Sequence, residues 1–283
     1  MARILAISSH VVRGHVGNAA VVPALTGLGH EVWALPSIVL SNHPGHAHVA
    51  GAPVSPETFA AIFQALEDNG WLDEVDALLT GYLPDPGQIT VVHDRITRMR
   101  RERGRRTLTY LCDPVLGDVP EGLYIDPAAA AASRDKLLPL ADIVTPNRFE
   151  LSWLSGEPVD GVGAAFGAME RLTPPMVIAT SLPAGEPDRI VNLLSVGGGT
   201  GDLSIEVARK PDVPHGTGDL MAALVLGHHL NGDSLQRAFW RAVAGIEAVL
   251  DSSVAGAELN LVATPQKWLF AAPAITRGTG PPD

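Results

Sequence analysis

The chain has 283 residues, with 20 Lys+Arg against 31 Asp+Glu and a formal net charge of −11. Hydrophobic residues make up 46%, so the chain can bury a core sized for one large α/β domain. The acidic balance argues against nucleic acid or an anionic membrane as the main partner, because both select basic surfaces.

The N-terminus runs from Met1 straight into Arg3-Ile4-Leu5-Ala6-Ile7-Ser8, without the charged start and long apolar run of a signal peptide. Other apolar runs, such as residues 220–230, are too short to span a bilayer, so a cytoplasmic protein with no membrane partner is expected. Residues 4–8 read as a first strand, followed by a helix over 17–28 and a strand over 31–35. A helix over 55–69 starts well, with Ser55 as N-cap and Pro56 at the first helical position. Then come a strand over 77–80, a helix over 86–103, a strand over 107–111 and a helix over 128–138. A strand over 142–145 leads into helices over 149–154 and 162–172, and a strand over 176–180 follows. Continuous apolar strands separated by helices indicate a mostly parallel sheet covered on both faces.

The pattern changes near Asp188. Residues 189–196 and 203–208 read as an edge hairpin around a glycine-rich turn at 197–202. The chain then turns helical over 220–230 and 234–250. The stretch 271–283, rich in Gly, Pro and Thr, reads as a flexible tail behind a single domain of residues 1–270. In parallel sheets the ligand crevice lies beyond the carboxyl ends of the strands, so functional residues belong just after them.

Gly-Thr-Gly-Asp occurs twice, at 199–202 and 216–219. The first copy precedes an alternating strand and serves a turn. The second precedes Leu220-Met221-Ala222-Ala223-Leu224-Val225-Leu226, an apolar helix that must be buried. Gly216, Thr217 and Gly218 would then offer free amides at a helix N-terminus, a site for an anion. Asp219 alone could be an ordinary helix-start carboxylate. Other polar groups also follow strands: Asp113-Pro114-Val115-Leu116-Gly117-Asp118, then Thr145-Pro146-Asn147 with Glu150, then Thr180-Ser181. Carboxylates at such places can hold Mg²⁺ through water beside nucleotide phosphates, although an Asp-Pro turn and an Asn helix cap are each ordinary in isolation.

Together with Ser8-Ser9-His10-Val11-Val12-Arg13-Gly14-His15-Val16-Gly17-Asn18, Leu40-Ser41-Asn42-His43 and Thr80-Gly81-Tyr82, these segments carry a family pattern. From residue 4 to about 262, the chain resembles the pyridoxal kinase branch of the ribokinase-like superfamily. The Gly-Thr-Gly-Asp motif speaks for the superfamily, whereas the Ser-His-Val-x-x-Gly-x-x-Gly-Asn signature speaks for the branch. The resemblance implies a three-layer sandwich with a mostly parallel central sheet and helices on both faces. It also implies ATP-dependent phosphorylation of the 5′-hydroxymethyl group of pyridoxal and related B6 vitamers, in salvage of pyridoxal 5′-phosphate.

In that reading Asp219 is the general base, and the amides of Gly216, Thr217 and Gly218 stabilise the transferring phosphoryl group. Asp113 and Glu150 fall on Mg²⁺ positions, and Asp113 and Thr145 lie near a monovalent cation such as K⁺. Nucleotide positions are matched by Asp118, Thr145, Glu150, Thr180 and Ser181, and by Lys210, Asp212 and Val213 beside the adenine and ribose. Ser9, Val16, His43 and Tyr82, with Asp219, match the vitamer pocket. A homodimer is also implied. Pro44 stands where many relatives have Thr, and His46 where they have Tyr, both next to the vitamer. The loop 117–126, which covers ATP in the family, is short here.

Other features have plainer readings. His43, His46 and His48 lack a convincing fourth ligand for a metal. His228 and His229 are expected to face solvent or a partner, and Cys112 to be a buried, inert thiol. The run Arg95, Arg98, Arg100, Arg101, Arg103, Arg105 and Arg106 reads as a solvated helix face. Two rival functions remain open: a hydroxymethylpyrimidine kinase of thiamine synthesis, and a non-catalytic vitamer-binding homologue.

Overall fold

Alternate side chains of the first strand enter two different cores, which places that strand between two layers of helices. Leu5 and Ile7 join a cluster with Phe59, Phe63, Val92 and Ile96, while Ile4 and Ala6 join one with Val21, Leu25, Leu224 and Phe239. The computed structural model describes residues 1–102, 107–197, 202–254 and 257–272. The glycines of the turn at 198–201, Arg103, Arg105, Arg106 and the tail from residue 273 lie outside the described residues.

Along the chain run β1 (Arg3–Val11), α1 (Asn18–Gly27), β2 (Glu31–Leu40), β3 (Gly51–Pro53), α2 (Pro56–Asp68), β4 (Ala77–Thr80), α3 (Pro86–Glu102) and β5 (Thr109–Cys112). There follow β6 (Gly117–Asp118), β7 (Gly122–Leu123), α4 (Pro127–Ala132), β8 (Ile143–Val144), α5 (Arg148–Ser155), α6 (Val162–Met169) and β9 (Met176–Pro183). The last third holds β10 (Arg189–Val196), β11 (Leu203–Ala208), α7 (Thr217–Leu230), α8 (Leu235–Ser252) and α9 (Pro265–Leu269).

Among the described residues nine strands form one sheet in the order β11-β10-β9-β8-β5-β4-β1-β2-β3. The six strands from β9 to β2 pair in parallel. At one edge β10 and β11 are antiparallel, as the hairpin reading expects, and at the other β3 turns back on β2. Helices α2 to α6 cover one face, and α1, α7, α8 and α9 the other. This is the three-layer α/β sandwich with a mostly parallel sheet.

Local chemistry explains the helix starts. Ser55 Oγ accepts from the Thr58 N–H at 3.2 Å and Pro56 opens α2, leaving fewer orphan amides in the first turn. Asn147 and Glu150 form a reciprocal capping box on α5. Residues 220–227 of α7 are all buried, so this helix is apolar all round rather than on one stripe.

Several boundaries differ from the sequence reading. β2 runs on to Leu40, because β3, which is too short to show periodicity, pairs with its end. The loop 117–126 contains the small β6–β7 hairpin. The helix over 128–138 breaks into α4 and a wider π-type turn over Ser133–Leu137. β9 continues past Thr180 to Pro183, with a bulge opposite Val191/Leu193. Among the described residues no helix is long and apolar enough to cross a membrane.

Candidate active site

The parallel strands end side by side, and their ends carry the polar groups. Asp113 follows β5, and its N–H donates to the Thr80 carbonyl at 2.8 Å. Thr145 follows β8, and its hydroxyl donates to Asp113 Oδ1 at 2.8 Å. Glu150 lies in the first turn of α5; Oε1 accepts from the Leu116 N–H at 2.8 Å and Oε2 from the Asn147 N–H at 2.9 Å. All three residues are buried.

Asp219 approaches this group from the other helix layer. Gly216, at φ 97°, starts α7 in the left-handed region, which favours glycine. A Cβ on Gly216 would also collide with the His15 carbonyl, so the turn is packed directly against the β1–α1 loop. The Gly17 N–H donates to the Asp219 carboxyl. A Cβ on Gly81, just after β4, would lie 3.8 Å from Asp219 Oδ1. The second Gly-Thr-Gly-Asp therefore faces the ends of β1 and β4.

The electrostatics are those of uncompensated negative charge. Burial pushes the Asp113 carboxyl well above the usual range, and Glu150 and then Asp219 push it further. Burial also lifts Glu150 to about 7, against the amides of Asn147, Leu116 and Gly117 that favour its charged form. Asp219 is raised to about 6 by burial, against the Gly17 hydrogen bond. Among the described residues no three His, Cys, Asp or Glu side chains converge to hold a metal by themselves. The set could instead serve a divalent cation that takes its other ligands from phosphate and water, which is how Mg²⁺ is usually held.

The residues expected at the vitamer lie near the ends of β1, β2 and β4. Ser9 packs against Gly17, whose φ of 54° and contact with the Ser9 hydroxyl leave no room for a Cβ. Val16 is buried beside it. The half-buried Tyr82 follows Gly81, and its carbonyl accepts from Ser37 Oγ at 2.5 Å. His43 is half-buried in the loop after β2, stacked on His215.

Of the residues expected at the nucleotide, Thr180 and Ser181 lie on β9, Asp118 on β6, and Lys210, Asp212 and Val213 in the loop after β11. Thr180 N–H donates to the Pro146 carbonyl at 3.0 Å, and Thr180 bridges to Asn147, which ties it to the Glu150 cap. Thr180 and Ser181 lie inside β9 rather than beyond its end: Ser181 sits at the bulge with φ 58°, and its N–H donates to Asn192 Oδ1 at 3.1 Å. Asp118 is exposed and caps the Val119 N–H at 2.7 Å. Asp212 and Val213 are exposed in the loop before α7. The Lys210 ammonium is 2.6 Å from Asp251 and 3.5 Å from Glu247 on α8, so its charge is already paired.

A family model described as phosphomethylpyrimidine kinase matches residues 27–262. The chain is 36% identical to the pyridoxal kinase PdxY of Deinococcus radiodurans, covering 96% of each chain. It is 34% identical to the pyridoxal kinase of Homo sapiens, over 89% of this chain and 85% of that one. The chain belongs to the pyridoxal kinase family. A solved pyridoxal kinase from Leishmania donovani, in complex with ADP and pyridoxamine, superposes with a TM-score of 0.88 at 28% identity over 95% of this chain and 96% of that one.

Some residues at this pyridoxal kinase site are not assigned a role by sequence reasoning. Asn18, buried, donates through Nδ2 to the Ser8 carbonyl at 3.1 Å and holds the signature loop in place; its place in the Gly17-Asn18 pair was the available signal. Tyr124, beyond β7, is half-exposed, and burial together with Glu150, Asp113, Asp118 and Asp219 raises its phenol. Its tie to the acids comes from the β6–β7 hairpin folding back, which local sequence does not reveal.

Two of the plainer expectations need correction. His228 does not face solvent: it is 2% exposed, and burial lowers its imidazole to about 4. The short helix α9, absent from the sequence reading, packs against α8 and α1 and brings the backbone of Leu269 against the His228 ring. The arginine run is not simply a solvated face, because Arg95 pairs with Glu67, Arg98 with Glu67 at 3.0 Å and Arg100 with Asp142 at 2.7 Å. Cys112 is buried, and burial raises its thiol to about 11, as an inert core thiol requires.

Proposed function

We propose that the chain transfers the terminal phosphoryl group of ATP to the 5′-hydroxymethyl group of pyridoxal, or of a related B6 vitamer, to give the 5′-phosphate. The observation that carries this reading is Asp219: a carboxylate raised to about 6, at the start of α7, beside the vitamer-side loop of β1. A base with that pKa is ionised at neutral pH yet basic enough to take a hydroxyl proton as the oxygen attacks. The amides of Gly216, Thr217 and Gly218 stabilise the charge on the phosphoryl group in flight. Ser9, Val16, His43 and Tyr82 hold the pyridine ring, Tyr82 by its aromatic face and Ser9 by a hydrogen bond.

ATP lies along the strip of Asp118, Thr180, Ser181, Asp212 and Val213, with Lys210 braced by α8. Asp113 and Glu150 would hold Mg²⁺, and Asp113 and Thr145 a monovalent cation such as K⁺. A divalent cation there would supply neutralisation of phosphate charge, which matters most in phosphoryl transfer, where the protein does little covalent work. Complexes of the Leishmania donovani pyridoxal kinase with ADP and pyridoxamine or pyridoxine support the same pairing of ligands here. We also place the chain in the cytoplasm as a homodimer with one kinase domain over residues 1–270. Sedimentation at micromolar protein tests the dimer.

The family model's own description names a phosphorylated pyrimidine, so hydroxymethylpyrimidine is the rival acceptor. The purified protein is incubated with Mg-ATP and pyridoxal, with and without K⁺, and the phosphorylated product is measured. Pyridoxal 5′-phosphate is expected, with none from 5′-deoxypyridoxal, which lacks the accepting hydroxyl. Absence of product from every B6 vitamer would overturn the proposal and favour the pyrimidine or the non-catalytic binder.

A further inference from the structure

One contact crosses the mouth of the site between loops that lie far apart in the chain. His43, after β2, lies face to face with His215, with ring centroids 3.8 Å apart and planes 21° from parallel. His215 immediately precedes Gly216, the left-handed residue from which α7 starts. Gly45 fits against both rings. A Cβ there would sit 3.0 Å from His43 Nδ1 and 3.4 Å from His215 Nε2. On the far side of the same loop, His46 Nε2 is 3.1 Å from Glu258 Oε1, and Glu258 in turn lies against Gly14 of the β1–α1 loop. The vitamer-side loop is thus clasped at two points, one of them on the transfer turn itself.

We infer that His215 is a positioning residue for the vitamer: its stack on His43 fixes that ring and couples the vitamer-side loop to the Gly216–Asp219 turn. The inference rests on the reading of His43 as a vitamer contact. The hydrogen-bond geometry gives the clasp chemical content. The Gly45 N–H donates to His43 Nδ1 at 3.0 Å, so Nδ1 is an acceptor and the proton of the neutral ring sits on Nε2. Burial and then His215 hold His43 down to about 4, which keeps it neutral at physiological pH. A fixed ring in a fixed tautomer offers one directed N–H donor. The stack needs only an aromatic face on residue 215, not a second imidazole.

The test is steady-state kinetics for vitamer and ATP on the full-length protein, with thermal unfolding measured alongside, for wild type, His43→Ala, His215→Ala, His215→Phe and the His43→Ala/His215→Ala pair. His215→Ala is expected to raise the vitamer KM about fivefold, within the span of one aromatic pair. The KM for ATP and the unfolding temperature should barely move. His215→Phe should restore the vitamer KM to within about twofold of wild type, and the paired variant should be no worse than His43→Ala alone, because the two act as one unit.

If His43→Ala raises the vitamer KM and His215→Ala does not, the clasp is wrong and the vitamer reading stands. If neither raises it, the vitamer reading of His43 fails, and the inference fails with it. A Phe variant as impaired as Ala, or an Ala variant that raises both KM values as it lowers the unfolding temperature, would overturn the stacking role.

Discussion

The main-chain N–H of Gly17 donates to the carboxyl of Asp219, joining the start of α1 to the start of α7 beneath the vitamer-side loop. The hydrogen bond favours the charged carboxylate while burial disfavours it, and burial wins, leaving the group near 6. Two residues about 200 positions apart in the chain therefore set both the place and the basicity of the proposed base. Asp219→Asn keeps the shape and a side-chain oxygen but cannot accept the proton. Turnover should fall by roughly 10²–10⁴, the usual contribution of general base catalysis, while vitamer KM changes only a few-fold. Equal kcat in the variant would remove Asp219 as base.

The same pKa sets the acid limb of the rate profile. The active form is the carboxylate, present above about 6 and lost as pH falls through it. In kcat/KM for the vitamer, which reports the free enzyme, the rate should decline about tenfold per pH unit below that limb, and the residual activity of Asp219→Asn should lack it. A wild-type profile flat from pH 7 to 5 would contradict this assignment.

Asp113 separates activity from stability. Its carboxyl, with Glu150 at about 7 and Asp219 at about 6, is raised above the unfolded value. The folded state then holds protons more tightly than the unfolded one, so these groups cost stability as pH rises from about 4 through 7. Asp113→Asn removes one buried titratable carboxyl and leaves an oxygen for the Thr145 hydroxyl. Without ligands, its unfolding temperature at pH 8 should exceed the wild-type value by a few degrees and converge with it near pH 4. Its turnover should fall at least about tenfold. A lower unfolding temperature at pH 8 would show that the cluster's charge is already offset.

Glycines on the transfer turn differ in kind. Gly216 combines φ 97° with a backbone collision at His15, whereas a Cβ on Gly218 meets nothing within 4 Å. Gly216→Ala should therefore cost on the order of 1–3 kcal/mol in stability and lose most activity, while Gly218→Ala should unfold within about 2 °C of wild type. Calorimetry on the two variants separates them.

Most of the scaffold could be read from local pattern because its strands are apolar on both faces and its helices carry their own caps, as at Ser55 and Asn147. The acidic groups could be read because Asp113 directly follows β5, Glu150 sits in the first turn of the helix after β8, and Asp219 completes a glycine-rich helix start; in a parallel sheet such ends share one rim. What stayed hidden depends on contacts made by folding. β3 exists only through pairing with the end of β2. His228 looked like a surface histidine until α9 covered it. The partners of Lys210 lie on α8, about 40 residues away. The His43–His215 stack joins two loops that no local pattern connects.

Phosphoryl transfer to the hydroxymethyl group of a B6 vitamer is tested most directly by the ratio of kcat/KM for pyridoxal to that for hydroxymethylpyrimidine, measured with Mg-ATP on the purified protein. A ratio well above ten is expected, with pyridoxal 5′-phosphate as product. A ratio below one, or no turnover of pyridoxal at all, would contradict it.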